Sequence, residues 1–302
     1  MVATTMTMAF GDALVKSLSS EFSVWQIFVA RSLIAIPLIM ALLRVRGPSA
    51  SRSPVSWFWP LVRSALLIAM WIAFYAALAE LSLPVVAAAY YTGPLFIALF
   101  SAWIIGEPVG ARRWFAILLG FVGVVIILRP GTQAFSWLAL LPIASAIFYA
   151  LAAIVTRAKC ARDSSLSLSL ALNVFFLGAG VLGTMAITIL TSAALVPGSH
   201  AFLLGPWLPM GAREWGLMAL MAVLIVAIST GVARAYQSGP PTIIATFDYS
   251  YLIFAGIWSF VFFADIPDLA TLAGMILIGA AGCVAMASPG TRKTSPAIDH
   301  AT

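Results

Sequence analysis

Residues 106–131, GEPVGARRWFAILLGFVGVVIILRPG, and residues 265–290, DIPDLATLAGMILIGAAGCVAMASPG, place proline and glycine in one register. Pro108, Gly120, Gly123, Pro130 and Gly131 recur as Pro267, Gly279, Gly282, Pro289 and Gly290, a constant shift of 267 − 108 = 159. Further upstream, Tyr75 to Pro84 (YAALAELSLP) aligns with Val232 to Pro241 (VARAYQSGPP) at 241 − 84 = 157, so two residues are added to the second copy between the blocks. The chain reads as one unit written twice. Each unit holds an odd number of apolar spans, which turns the second copy upside down relative to the first. Inverted internal symmetry of this kind characterises secondary-transporter folds.

Composition agrees with a bilayer setting. Hydrophobic residues make up 63% of the 302 residues, charged residues 9%, and the mean hydropathy is +1.07; soluble domains carry about 25% charged residues. The pI near 9.7 and net charge of +6 do not mark a nucleic-acid partner, because the basic residues fall between apolar runs instead of on one patch. Two cysteines, Cys160 and Cys283, suggest no disulfide framework. The opening residues lack a basic n-region and a cleavage site, so they are read as the first span and not as a signal peptide.

Apolar runs of about 20 residues, the length that crosses the hydrocarbon core, number ten. They cover approximately 4–18, 24–43, 57–79, 84–104 and 114–128 in the first half, then 135–156, 166–190, 214–235, 242–264 and 269–287 in the second. The fold class expected is all-α: a polytopic membrane protein of ten transmembrane helices in two inverted five-helix repeats. The repeats occupy 1–131 and 132–290, with a polar cytoplasmic tail at 291–302, and together they form one membrane domain. With the N-terminus inside, the inside loops hold Arg44, Arg46, Arg52, Arg112, Arg113, Arg157, Lys159, Arg162, Arg292 and Lys293, while the outside holds Lys16, Arg129 and Arg213. The positive-inside rule then places both termini in the cytoplasm. The long outside connection 191–213 is expected to act as a cap.

Several motifs resemble the EamA-type branch of the drug/metabolite transporter superfamily, over nearly the whole chain. They are Phe10 to Lys16 (FGDALVK), Trp25-Gln26-Ile27 followed by Ala30-Arg31-Ser32, Gly93-Pro94-Leu95-Phe96, Gly106-Glu107-Pro108 and Arg129-Pro130-Gly131. The second half departs from the pattern: the acidic-proline pair becomes Asp265-Ile266-Pro267, and the proline usual in the ninth span is replaced around Ser250-Tyr251. The resemblance implies ten helices, alternating access, and movement of a small metabolite in the bacterial inner membrane, amino-acid exporters being a prominent branch.

An ionisable side chain inside hydrocarbon costs about 2.5–3.5 kcal/mol on insertion scales, so each needs a partner or a water-filled cavity. Asp12 and Lys16 share a face at i,i+4, and Arg31 enters the second span at a matching depth; the three are expected to form an ion pair between the first two helices or to act in gating. Asp248 has no basic residue nearby in its span. It either bonds a tyrosine or faces a cavity, where it binds a substrate amino group or a proton, with Arg234 as the remote counter-ion otherwise. Trp71, Tyr75, Tyr90, Tyr91, Tyr149 and Tyr251 lie deep enough to line a cavity for an apolar side chain, or to pack as core. Asn173, at the repeat position of Ser32, is grouped with them. Pro94 sits well inside a span and is a candidate bend. Helices five and ten, glycine-spaced and free of charge, are expected to stand outside the cavity.

The leading reading is a transporter, an amino-acid exporter for apolar or aromatic side chains, with another metabolite such as riboflavin or a nucleoside as the alternative. A membrane-embedded enzyme is the lesser alternative, since Ala9-Phe10-Gly11-Asp12 lacks the first glycine of a Gly-x-Gly-Asp motif and both histidines, His200 and His300, fall outside the spans. No catalytic residue, metal site or cofactor is expected. The expected partners are a small molecule, probed first among amino acids, and the lipid bilayer, with no nucleic acid; a monomer and a homodimer both remain open.

Overall fold

A computed structural model describes residues 1–46, 57–81, 83–106, 110–128, 137–192, 201–248, 250–266 and 268–286. The repeat boundary at 131/132, the tail at 291–302, and the repeat markers Pro108, Pro130, Gly131, Pro267, Pro289 and Gly290 lie outside these residues, as does Glu107. The described residues are helical, without strands. The helices are α1 (Val2–Leu18), α2 (Val24–Arg46), α3 (Phe58–Glu80), α4 (Leu83–Tyr90), α5 (Gly93–Phe100), α6 (Ala111–Leu128), α7 (Leu140–Lys159), α8 (Ser165–Ser192), α9 (Ala201–Leu204), α10 (Ala212–Ser238), α11 (Pro241–Asp248), α12 (Ser250–Phe263) and α13 (Leu269–Met286). Six stretches among the described residues are long and apolar enough to cross a membrane: Val24–Val45, Phe58–Glu80, Trp137–Lys159, Ser165–Leu190, Ala212–Ser238 and Pro241–Phe263.

One of the expected spans is discontinuous. The stretch 84–104 divides into α4 and α5, followed by a π-helical turn at Ser101–Ile105. Pro94 explains the break: it lacks an N–H, and its ring would collide with the carbonyl four residues back, so it is placed at the first turn of a new helix. Thr92 covers the interruption by donating both its N–H and its Oγ1–H to the Ala89 carbonyl. Pro94, the candidate bend, thus stands in the first turn of α5, directly after the interruption. The π turn ends at Gly106, whose φ of 76° is the left-handed conformation that favours glycine at a helix C-terminus. Within the stretch 242–264, Ser250 Oγ donates to the Phe247 carbonyl and pairs with Thr5 Oγ1 of α1.

The helices pack in pairs: α1 on α12 and α10, α2 on α8 and α10, α3 on α7 and α8, α5 on α7 and α11, and α6 on α13. Glycines set the closest crossings. A Cβ on Gly123 of α6 would lie 2.9 Å from the Gly274 carbonyl of α13, and one on Gly180 of α8 would lie 2.8 Å from the Trp25 carbonyl of α2, the close approach that small residues permit between membrane helices. Outward-facing apolar side chains such as Leu33, Leu182, Ile189, Ile253 and Ile276 are exposed, as suits contact with lipid.

Candidate functional site

The polar centre of the bundle is built on two carboxylates that share no basic partner by hydrogen bond. Asp12 of α1 is buried, and its Oδ2 accepts from Tyr251 of α12 at 2.6 Å while its Oδ1 accepts from Tyr75 of α3 at 3.4 Å. Asp248, the last residue of α11, is equally buried; its Oδ2 accepts from Tyr236 of α10 at 2.8 Å and from Tyr149 of α7 at 3.0 Å. Its Oδ1 is without a hydrogen-bond partner among the described residues. Phenols satisfy these acids because a carboxylate held away from water must be hydrogen-bonded, and tyrosine brings a donor on an apolar ring.

The same tyrosines join the two acids. Tyr91 stacks on Tyr251 with ring centroids 5.0 Å apart, Tyr90 stands 5.4 Å from Tyr91 and 5.6 Å from Tyr149, and Tyr149 stands 6.0 Å from Tyr236. Six of the seven tyrosines in the chain thus gather around Asp12 and Asp248. Tyr90 and Tyr91 lie at the α4/α5 break, and Asp248 and Tyr251 belong to α11 and α12. Asp248 is seven residues into α11, roughly 10 Å of helix rise from its start.

Arg31 of α2 is 2% exposed and lies against the adjoining rings of Phe176, at 4.4 Å, and Phe28, at 5.4 Å. It shares with Asp12 a small cavity lined also by Gly11, Trp71, Tyr75 and the α10 residues Met221, Leu224, Ile225 and Ile228. The expected contact between Asp12 and Arg31 takes an indirect form: tyrosines hold the Asp12 oxygens, and Tyr75 is the polar neighbour of both residues. Lys16 leaves this group. Its Nζ donates to the Leu78 and Leu81 carbonyls at 3.0 and 2.7 Å, closing the C-terminus of α3 where a cation is favoured by the helix dipole.

The structure brings Trp71, Tyr75, Tyr90, Tyr91, Tyr149, Asp248 and Tyr251 to the centre, with the Trp71 and Tyr75 rings 4.9 Å apart. Asn173 is placed elsewhere on α8, donating to the Ser169 carbonyl of its own helix, and it is not in the lining of the Arg31 cavity. Arg234 is exposed, so it is no counter-ion for Asp248. Sequence reasoning missed Tyr236, although it stands one helical turn beyond Val232, the repeat equivalent of Tyr75. It also missed Arg63 of α3, which is 1% exposed and donates from Nε to Thr156 Oγ1 at 2.8 Å.

Both ends of the bundle are latched. At the Lys16 end, Gln26 binds Leu208 twice, its Nε2 donating to the carbonyl at 2.5 Å and its Oε1 accepting from the N–H at 3.0 Å, and Trp25 Nε1 donates to the Leu203 carbonyl at 2.8 Å. At the other end, Gln237 Nε2 donates to the carbonyls of Cys160 and Asp163 at 2.8 and 2.7 Å, and Arg157 donates to the Gln237 carbonyl at 2.8 Å. The aromatic centre between these ends is buried in this conformation.

Residues 1–129 match the EamA-like transporter family. The chain is similar to the pseudopaline exporter CntI of Pseudomonas aeruginosa strain UCBPP-PA14, with 28% identity over 94% of this chain and 93% of that protein. It is similar also to a riboflavin transporter of Vibrio cholerae, with 27% identity over 82% of this chain and 76% of that one. An S-adenosylmethionine uptake transporter of Rickettsia felis is 24% identical over 61% of this chain and 56% of its own length. A solved crystal structure superposes with a TM-score of 0.65 at 19% identity, covering 94% of this chain and 95% of that one, and so shares its fold.

Proposed function

We propose, from the EamA-like transporter domain that forms residues 1–129, that this multi-pass membrane protein is a secondary transporter of small metabolites. It works by alternating access in the bacterial inner membrane, both termini cytoplasmic, and exports an amino acid with an apolar or aromatic side chain. The observation that carries this reading is the pair of buried carboxylates, each held by two phenols, in the aromatic centre of the bundle beside the interruption between α4 and α5. Ionisable groups buried in a membrane bundle, and irregular backbone beside them, mark where transporters bind their cargo. The unengaged Oδ1 of Asp248 receives the substrate ammonium, and the surrounding rings receive its side chain.

The ten-helix inverted repeat is supported by the packing. Counting α4 with α5 as the fourth span and α11 with α12 as the ninth, exchange of each span with the one five places on maps α1 on α12 to α7 on α5, α3 on α7 to α10 on α1, and α2 on α10 to α8 on α3. The pairs α2 with α8 and α6 with α13 map onto themselves. The similarity to an exporter over nearly the full length favours outward movement. Similarity to a riboflavin transporter gives the rival cargo, a planar ring that the stacked Tyr91 and Tyr251 would also suit.

Proteoliposomes loaded with radiolabelled L-phenylalanine, L-leucine, riboflavin or a nucleoside decide between them by counterflow. Amino-acid exchange that falls at least tenfold in Asp248→Asn, at unchanged protein yield, is the expected result. Movement of riboflavin or the nucleoside with no amino acid moved overturns the substrate assignment.

A further inference from the structure

Arg31 lines the cavity and leaves one edge of its guanidinium unpaired. Its Nε and Nη2 are buried and have no hydrogen-bond partner among the described residues, while Phe176 and Phe28 stand against the cation at 4.4 and 5.4 Å. Nε–H and the adjacent Nη2–H point in parallel, at the spacing that matches the two oxygens of a carboxylate. Aromatic rings attract the cation without consuming its N–H donors. A buried cation with unfilled donors is costly unless an anion meets it. Asp12, the nearest carboxylate in the cavity, has its oxygens on Tyr75 and Tyr251.

We propose that the cavity among α1, α2, α3 and α10 is a carboxylate-binding subsite in which the Nε/Nη2 edge of Arg31 takes the substrate's carboxylate side-on. Asp12 on the opposite wall faces the ammonium of a zwitterion, and Trp71, Met221, Leu224, Ile225 and Ile228 enclose the apolar remainder. Asp248 is outside this lining, so the subsite is a second polar station on the substrate's route. In this conformation there is room for about one water-sized group, so admitting a ligand requires α10 to move away from α1 and α2. The inference rests on the proposed reading as an amino-acid transporter, and it adds which group of the substrate Arg31 selects.

The test is the Arg31 Nε–H resonance of the full-length protein in lipid nanodiscs, labelled with 15N-arginine and assigned by its disappearance in Arg31→Lys. Three probes are titrated: L-phenylalanine, 3-phenylpropionate and phenethylamine. A side-on carboxylate bond shifts the resonance with the first two and leaves it unmoved by the amine. No shift with either carboxylate at millimolar concentration, or an equal shift with the amine, overturns the subsite. In proteoliposomes, phenethylamine should compete with L-phenylalanine at least tenfold more weakly in the parent, and Arg31→Lys should erase that preference while Asp248→Asn keeps it. Equal competition in the parent overturns the subsite and leaves amino-acid transport standing. Wild-type vesicles that move no amino acid overturn the transport reading, while the resonance titration still decides the subsite.

Discussion

The clamp on the Lys16 end can be measured directly. Gln26→Leu keeps the side-chain volume and removes both hydrogen bonds to Leu208, the 2.5 Å donation and the 3.0 Å acceptance. A side chain to backbone bond contributes about 1 kcal/mol net. Leu208 is 41% exposed, so water satisfies part of what is lost and leaving its backbone unpaired adds little. The segment around residues 203–210 should therefore open more easily by about 2 kcal/mol, which is about 30-fold in the opening equilibrium. Hydrogen exchange of that peptide in nanodiscs reads this as an exchange rate about 30-fold faster, with the peptide covering 157–163 at the opposite end unchanged. Gln26→Glu keeps the acceptor for the Leu208 N–H and loses the donor, so it should fall between. Trp25→Phe, which removes only the bond to Leu203, should loosen the segment by one bond's worth. Exchange of 203–210 that stays within about threefold of the parent in Gln26→Leu refutes the clamp.

Tyr251→Phe should lower the thermal stability of the solubilised protein more than Tyr75→Phe, because the bond it removes from Asp12 is 2.6 Å long against 3.4 Å; a side-chain hydrogen bond is worth about 0.5–1.5 kcal/mol net, and equal losses would count against Tyr251 as the principal partner. Gly123→Leu should destabilise the α6–α13 pair by about 1–3 kcal/mol, since even its Cβ would sit 2.8 Å from Ile278 Cγ1, whereas Gly178→Ala, with nothing within 4 Å, should unfold at the parent temperature. Burial pushes the Cys160 thiol up to about 12, so it is un-ionised at pH 7 and its thiolate fraction grows about tenfold for each pH unit below that value. Maleimide labelling followed by mass spectrometry should find Cys160 nearly inert at pH 7 and faster in Gln237→Ala, which removes the side chain bonded to the Cys160 carbonyl.

Much of the centre was legible in the sequence because polar groups inside hydrocarbon have few options. Asp12, Asp248 and the deep tyrosines had to find partners, and they found one another. Who pairs with whom was not legible. Spacing along one helix put Lys16 on the Asp12 face, but a lysine in the last turn of α1 reaches the carbonyls that end α3 more readily than a carboxylate a turn deeper. Opposite charge pointed to Arg31 for Asp12 and to Arg234 for Asp248, yet phenols hold both acids. Tyr236 is contributed by a different helix, and no local period announces that contact. The interruption at Pro94 was half visible: the proline signalled an irregular backbone, while the hydroxyl of Thr92 that covers it is recognised only in three dimensions.

The stacking of Tyr91 on Tyr251 links the interrupted fourth span to α12. Tyr91 lies between α4 and α5, Tyr251 lies in α12, and the rings are 23° from parallel at 5.0 Å. Flexing the α4/α5 interruption while α12 stays in place slides the rings apart and forfeits about 0.5–1.5 kcal/mol. A motion that carries α12 along keeps them together, so the stack works as a clutch that engages one span with the other.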